Sequence, residues 1–385
     1  METPFIFGKI ASGDEFTDRE DETKHLINNF LSGINTVLIS PRRWGKSSLV
    51  TKAAKGALKR NKKLRICFID LYNIRSEEQF YQVLAQEVLK ASASRWEEIM
   101  ENTRKFMGRF IPKITYSPEQ SREFSLSLDW KEVQKQPDEI LNLAENIARG
   151  KGFRMMVCID EFQNISEFEN PLAFQKKLRS HWQKHQKTSY CLYGSKRHMM
   201  MEVFASSAMP FYKFGDIIFL QKISESNWEK FIQKRFTDTG KKISKENALL
   251  IARLAKCHPY YVQQLAQQSW LRSAKTCNEE VIKEALESLL LQLGMLFQTI
   301  TEGLSTTQVN FLKALLEGVE QFSSKETLLQ YNLGTSANIL RIKQALINKE
   351  IIDIQNQTAS LLDPVYEHWL KKHYFKLTQN NWLID

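Results

Sequence analysis

Eight residues, Ser40-Pro41-Arg42-Arg43-Trp44-Gly45-Lys46-Ser47, are spaced as a phosphate-holding loop of pattern G-x-x-x-x-G-K-[ST], except that Ser40 stands where the opening glycine is usual. The residue types suit polyphosphate chemistry. Backbone amides at a helix N-terminus hold phosphate oxygens, and Gly45 lets the backbone come close. Lys46 would neutralise the terminal phosphates, and the Ser47 hydroxyl would bind Mg²⁺. The cradle expected for a nucleoside triphosphate therefore runs from Ser40 through Pro41, Arg42, Arg43, Trp44, Gly45, Lys46 and Ser47 to Ser48. A Cβ at position 40 disfavours a left-handed backbone, so the first turn is expected to depart from the usual one.

Such a loop needs carboxylates from a neighbouring strand. Met155–Glu161 reads MMVCIDE, an apolar run ending in two acids. Asp160 is placed to hold the metal, and Glu161 to act as general base toward an attacking water. A third run, Ser189–Gly194, ends beside Ser195. If that strand lies between the other two, Ser195 faces the terminal phosphate and orients the water. Open α/β sheets bind ligands at the carboxyl ends of their strands, which is where these groups would meet.

The elements that must position them are legible as hydrophobic patterns. Thr36–Ser40, Leu64–Asp70, Met155–Asp160, Ser189–Gly194 and Asp216–Leu220 are the candidate strands. Most are apolar throughout, as in strands covered on both faces. Helical periodicity over Glu77–Met107 and Pro137–Arg149 separates them, and the alternation predicts a three-layer α/β domain with a parallel sheet. Arg109–Trp130 reads as an inserted hairpin. Beyond Leu220 the pattern turns helical, over Ser226–Thr237, Lys245–Lys256, Tyr260–Ala274 and Glu279–Leu296. Helices at Thr306–Glu317, Lys325–Tyr331 and Ala337–Asn348 precede two short β runs, Ile351–Ile354 and Ser360–Leu362. That order is a winged helix-turn-helix. The expected domains are 1–222 (core, with the insertion at about 109–130), 223–298 (helical lid) and 299–385 (winged helix).

These residues resemble the bacterial and archaeal P-loop ATPases of the AAA+/STAND superfamily, the archaeal-type ATPases. The matching pieces are FTDRE (Phe16–Glu20), SPRRWGKSSL, CIDEFQNI, YGSKRHMMMEVF, PFYKF (Pro210–Phe214), CHPYYVQQLA and LLDPVYEHWL, spread over nearly the whole chain. The resemblance implies a parallel α/β sheet, a helical lid and a winged-helix tail, with ATP and Mg²⁺ as ligands. No guanine-specifying motif is visible, and the choice of ATP rests on the resemblance. It also implies that Arg42 and Arg43 touch phosphate or steady the loop; the alternative is a pair of surface cations. His258 opens a lid helix where relatives place a nucleotide-facing residue; a capping or packing histidine is the alternative. In PFYKF relatives often carry an arginine that acts across a subunit boundary of a homo-oligomer. Here the nearest cation is Lys213, which lacks arginine's bidentate geometry. Such a departure, like Ser40, affects hydrolysis more than binding.

Bulk properties narrow the remaining classes. The chain has 385 residues, 42% of them hydrophobic, and a net charge of +10. No apolar run is long enough to cross a membrane, and the first residues lack a secretory pattern. The five cysteines show no metal spacing and read as reduced core residues of a cytoplasmic protein. His181 and His185, four apart, have no third ligand in view. The positive charge is uneven: Thr51–Asp70 holds seven basic residues against one acid, whereas Thr301–Asp385 holds eight against nine. The reading helix of the tail offers Asn338, Arg341, Lys343 and Gln344. Its surroundings are too acidic to favour DNA, since phosphate contacts supply much of such affinity. The expectation is a slow Mg²⁺-dependent ATPase acting as a nucleotide-driven switch on an unidentified protein partner. The alternative is a DNA-associated or mobile-element helper whose assembly nucleotide gates.

Overall fold

Five of the apolar runs form a single parallel sheet. The computed structural model describes residues 3–9, 17–93, 95–107, 113–116, 124–127, 129–355 and 358–377. Strands β1 (Thr36–Ile39), β2 (Leu64–Asp70), β5 (Arg154–Asp160), β6 (Thr188–Gly194) and β7 (Asp216–Phe219) stand in the order β2-β5-β6-β1-β7. All four pairings are parallel. Position in the sheet explains the burial. Central β6 is buried along its whole length, whereas edge strand β2 alternates toward solvent at Phe68 and Asp70.

The chain divides into two compact units, Arg19–Gln221 and Met1–Asp18 with Lys222–Asp385. In the first, the sheet is joined by helices α1 (Glu20–Ser32), α2 (Lys46–Arg60), α3 (Glu77–Ser92), α4 (Trp96–Phe106), α5 (Trp130–Lys135), α6 (Pro137–Leu141), α7 (Leu143–Lys151), α8 (Pro171–Trp182) and α9 (Arg197–Ala205). The helix expected over Glu77–Met107 breaks in two because Ala93 is extended, and Asn102 Nδ2 on α4 donates to the buried Ser92 Oγ at 2.8 Å. The one expected over Pro137–Arg149 breaks at Asn142. That residue's side-chain oxygen meets His181 Nδ1 at 3.2 Å and His185 Nε2 at 3.0 Å. The two histidines are thus tied to an amide. Burial lowers the His185 pKa to about 4, which keeps its ring neutral. Among the described residues no group of three or more metal-type ligands exists.

The expected insertion contains an antiparallel pair, β3 (Lys113–Tyr116) with β4 (Phe124–Ser127); the rest of it, from 109 to 128, lies outside the described residues. All five cysteines are buried and free.

The second unit holds α10 (Glu225–Thr237), α11 (Lys245–Leu254), α12 (Pro259–Arg272), α13 (Glu279–Glu302), α14 (Thr306–Leu316), α15 (Lys325–Gln330), α16 (Ser336–Asn348) and α17 (Pro364–Trp369). A two-residue parallel pair, β8 (Lys242–Ile243) with β9 (Thr276–Cys277), was not evident from sequence. After α14–α16 come β10 (Ile352–Gln355) and β11 (Thr358–Leu361), an antiparallel hairpin completing the winged-helix element order. Two residues of the expected wing turn, 356 and 357, lie outside the described residues. Helix α13 runs past the expected end at Leu296 because Phe297 and Thr301 remain buried. Phe297 packs on Tyr366 and Trp369, and Thr301 Oγ1 lies 2.8 Å from the Tyr366 hydroxyl. The segments expected to be lid and winged helix therefore share one apolar cluster across position 298. Residues near the N-terminus belong to the same cluster, with Phe5 against Phe231 and Phe236.

Candidate active site

Sheet order brings the three expected strand ends together. β6 lies between β5 and β1, so Gly194 at the end of β6 is in register with Ile39 at the end of β1. The loop leaves β1 at Ser40, which is buried, and enters α2 at Lys46. Ser40 is not among the residues with positive φ; the left-handed turns fall at Arg43 (φ 62°) and Gly45 (φ 85°). The missing glycine is thus accommodated by turning the chain later. Gly45 is the N-cap of α2 and has no side chain to cap the first amides, which suits an anion. Arg42 and Arg43 are exposed, while Trp44 is buried. The Lys46 ammonium is also buried and folds back onto the loop, 3.2 Å from the Pro41 carbonyl and 3.4 Å from that of Ser40.

The loop is bonded directly to the acid pair. Ser47 Oγ donates to Asp160 Oδ2 at 2.7 Å, and the Glu161 amide donates to Asp160 Oδ1 at 2.8 Å. Burial raises the Asp160 pKa from 3.8 to about 6, with Glu161 adding to the rise while Ser47 and Lys46 oppose it. Burial therefore outweighs the nearby cation. Two hard oxygen donors beside substrate phosphates are what Mg²⁺ usually takes from a protein, so Ser47 and Asp160 fit that ion.

Glu161 sits in a left-handed turn (φ 50°, ψ 40°), a conformation costing about 1 kcal/mol or more for a residue with a side chain. Its carboxylate Oε2 accepts from Ser195 Oγ at 2.8 Å and from Gln163 Nε2 at 2.5 Å. Ser195, Glu161, Asp160 and Ser47 thus form one hydrogen-bonded line from β6 across β5 to α2. Lys46 reaches the loop carbonyls next to it.

Sequence reasoning missed Gln163, although it stands two residues past the acid pair in CIDEFQNI, a polar residue between Phe162 and a buried turn. It also passed over Asp70, which ends β2 in register with Asp160 and is exposed, its Oδ1 accepting from the Tyr72 amide at 2.8 Å. Two further expected residues come from other segments. Lys213 is in the first unit with a left-handed backbone (φ 53°), its ammonium 5.3 Å from the centre of the Tyr212 ring. His258 belongs to the second unit, where it is the buried N-cap of α12 and packs on Tyr261.

The same architecture occurs in solved structures. The Walker-type ATPase PABY2304 of Pyrococcus abyssi superposes with a TM-score of 0.64 at 16% identity, over 93% of this chain and 97% of that one. The fold is that of the AAA+ P-loop ATPases. A second solved structure of similar fold, the ORC2 protein of Aeropyrum pernix in its ADPNP–ADP complexes, gives a TM-score of 0.53 at 13% identity over 92% of each chain. No protein-family model matches the sequence, and no curated protein matches it. The loop, the acid pair and Ser195 stand at the carboxyl ends of the neighbouring strands β1, β5 and β6 of one sheet. Among the described residues no helix is long and apolar enough to cross a membrane.

Proposed function

We propose that the chain binds ATP with Mg²⁺ on the loop Ser40–Ser48, hydrolyses it slowly and uses the cycle as a switch. The observation that carries this reading is the 2.7 Å bond from Ser47 to Asp160, which ties the phosphate loop to the acid strand. Lys46 would release the loop carbonyls to meet the β- and γ-phosphates. Ser47 and Asp160 would hold Mg²⁺, whose charge offsets that developing on the phosphate oxygens. Glu161 is the base that takes a proton from water, and Ser195 steers that water through the carboxylate they share. Arg42 and Arg43 flank the cradle as exposed cations. His258 and Lys213 are the groups that lid closure or a second copy of the chain would bring to the nucleotide. Steady-state ATP turnover tests the reading. Lys46→Ala is expected to abolish nucleotide binding, and Glu161→Gln to keep binding while losing turnover. ATP hydrolysis at wild-type rate by Glu161→Gln would remove Glu161 from the chemistry.

A second reading, nucleotide-gated attachment to DNA, is favoured by one observation. At the amino-terminal ends of β2, β5 and β6, the Arg154 amide donates to the Lys63 carbonyl and the Met155 amide to that of Lys187, each at 2.9 Å. This brings exposed Lys62, Lys63, Arg154, Lys184 and Lys187 to one sheet edge, opposite the loop. Duplex affinity that falls steeply with added salt, and falls again in Lys62→Glu/Lys63→Glu, is the expected outcome of this reading. No duplex binding at low salt would exclude it.

A further inference from the structure

The carboxylate of Glu161 is held by an amide that is poorly matched to its own surroundings. Gln163 is fully buried, in the turn that follows β5. Its Nε2 donates to Glu161 Oε2 at 2.5 Å, yet its Oε1 is buried with no hydrogen-bond partner. A buried carbonyl left unpaired lowers stability, and an apolar side chain of similar size would avoid that cost. As a core residue, then, Gln163 is a poor choice, and what it offers in return is a donor aimed at Glu161.

The neighbouring backbone is shaped around that amide. A Cβ placed on Gly194 would lie 1.9 Å from Gln163 Oε1 and 2.8 Å from Met200 Sδ. Gly194 is thus a glycine for lack of space and not for its backbone angles. The residue after it, Ser195, supplies the other donor to the same oxygen of Glu161. Both donors land on Oε2 of the carboxylate.

We propose that Gln163 is a positioning residue for Glu161, its amide wedged against the bare backbone of Gly194 so that the carboxylate stays aimed at the attacking water. This rests on the reading of Glu161 as the base. Misplacing a reacting group by about 1 Å costs roughly 100-fold in rate. The deciding variant is Gln163→Met, which keeps the length of the side chain and removes both the donor and the unpaired carbonyl. Its kcat for ATP should fall roughly 10- to 100-fold with KM within about threefold. Its thermal midpoint should hold or rise, because the orphaned acceptor is gone. A purely structural role cannot lower turnover while raising stability. Unchanged kcat, or kcat and thermal midpoint falling together, would overturn the proposal. Gly194→Ala gives a second route: the added methyl group displaces the amide, and kcat should drop as in Gln163→Met, whereas wild-type kcat would count against the wedge. Glu161→Gln, run beside them, separates the two ideas. If Glu161→Gln retains turnover, the functional reading fails; if it loses turnover while both other variants keep theirs, only the positioning role fails.

Discussion

The two ends of the five-stranded sheet treat a buried carboxylate in opposite ways. At the amino-terminal end, Glu145 of α7 accepts from the amides of Gln186, Lys187 and Thr188 at 3.1, 2.9 and 2.9 Å, and from Arg149 Nε at 2.5 Å. Burial pushes its pKa up, but those four donors together hold it below the ordinary value. At the carboxyl-terminal end, burial wins at Asp160 and the pKa rises to about 6. One end is satisfied and fixes where β6 begins. The other keeps a reluctant charge, a left-handed Glu161 and an unpaired Gln163 carbonyl within a few residues. Local cost of this kind gathers where a site must be ready for a ligand.

The contrast can be broken in three places. The largest effect is expected for Glu161→Gln, a loss of roughly 100- to 10,000-fold in kcat with the urea midpoint unmoved. A large loss of stability instead would mean that this end, too, serves folding. Next is Glu145→Ala, which strands three amides and should cost about 3 kcal/mol in urea unfolding at neutral pH, with kcat intact below the melting range. The smallest is Asp160→Asn, expected to gain about 1 kcal/mol at pH 7: relief of the raised pKa is worth roughly 3 kcal/mol, and the single amide oxygen of Asn, facing the two donors Ser47 Oγ and the Glu161 amide, gives back about 2.

The pH dependences sharpen the same point. The folded pKa of Asp160 lies above its unfolded value of 3.8, so folded protein binds more protons in between. Its contribution to stability falls as pH rises from 3.8 to about 6. For Glu145, lowered from 4.5, the contribution is present above that value and is lost as pH falls through the folded pKa. Urea midpoints measured across pH 4 to 6 in Asp160→Asn should therefore lack a decline that the parent shows. Identical slopes in the two proteins would contradict the burial argument.

What could be read from the sequence follows from the range of the forces involved. Strands buried on both faces announce themselves as apolar runs, and each of the five was found within one residue of its end. The loop and the acid pair were legible because their chemistry is carried by contiguous residues. Gln163 and Gly194 were not, since the clash that makes position 194 a glycine needs two segments folded against each other. Glu145 was hidden likewise, as its acceptor role depends on amides some forty residues away. The breaks at Ala93 and Asn142 escaped because helical periodicity continues through them; tertiary bonds to Ser92 and from His181 and His185 set them. His181 and His185 looked like half a metal site only while Asn142 was out of view.

Phe5 makes a last point about order in time. It sits among Trp228, Phe231 and Phe236, yet the whole sheet-bearing unit is synthesised between them. As the chain is synthesised, Phe5 lacks these partners until the segment after Lys222 appears. The sheet can close around its loop while that strip of apolar chain still waits. A shortened product starting at Arg19 would keep every residue of the acid line and leave a hole in the helical unit, where Phe5 packs on the rings of Phe231 and Phe236.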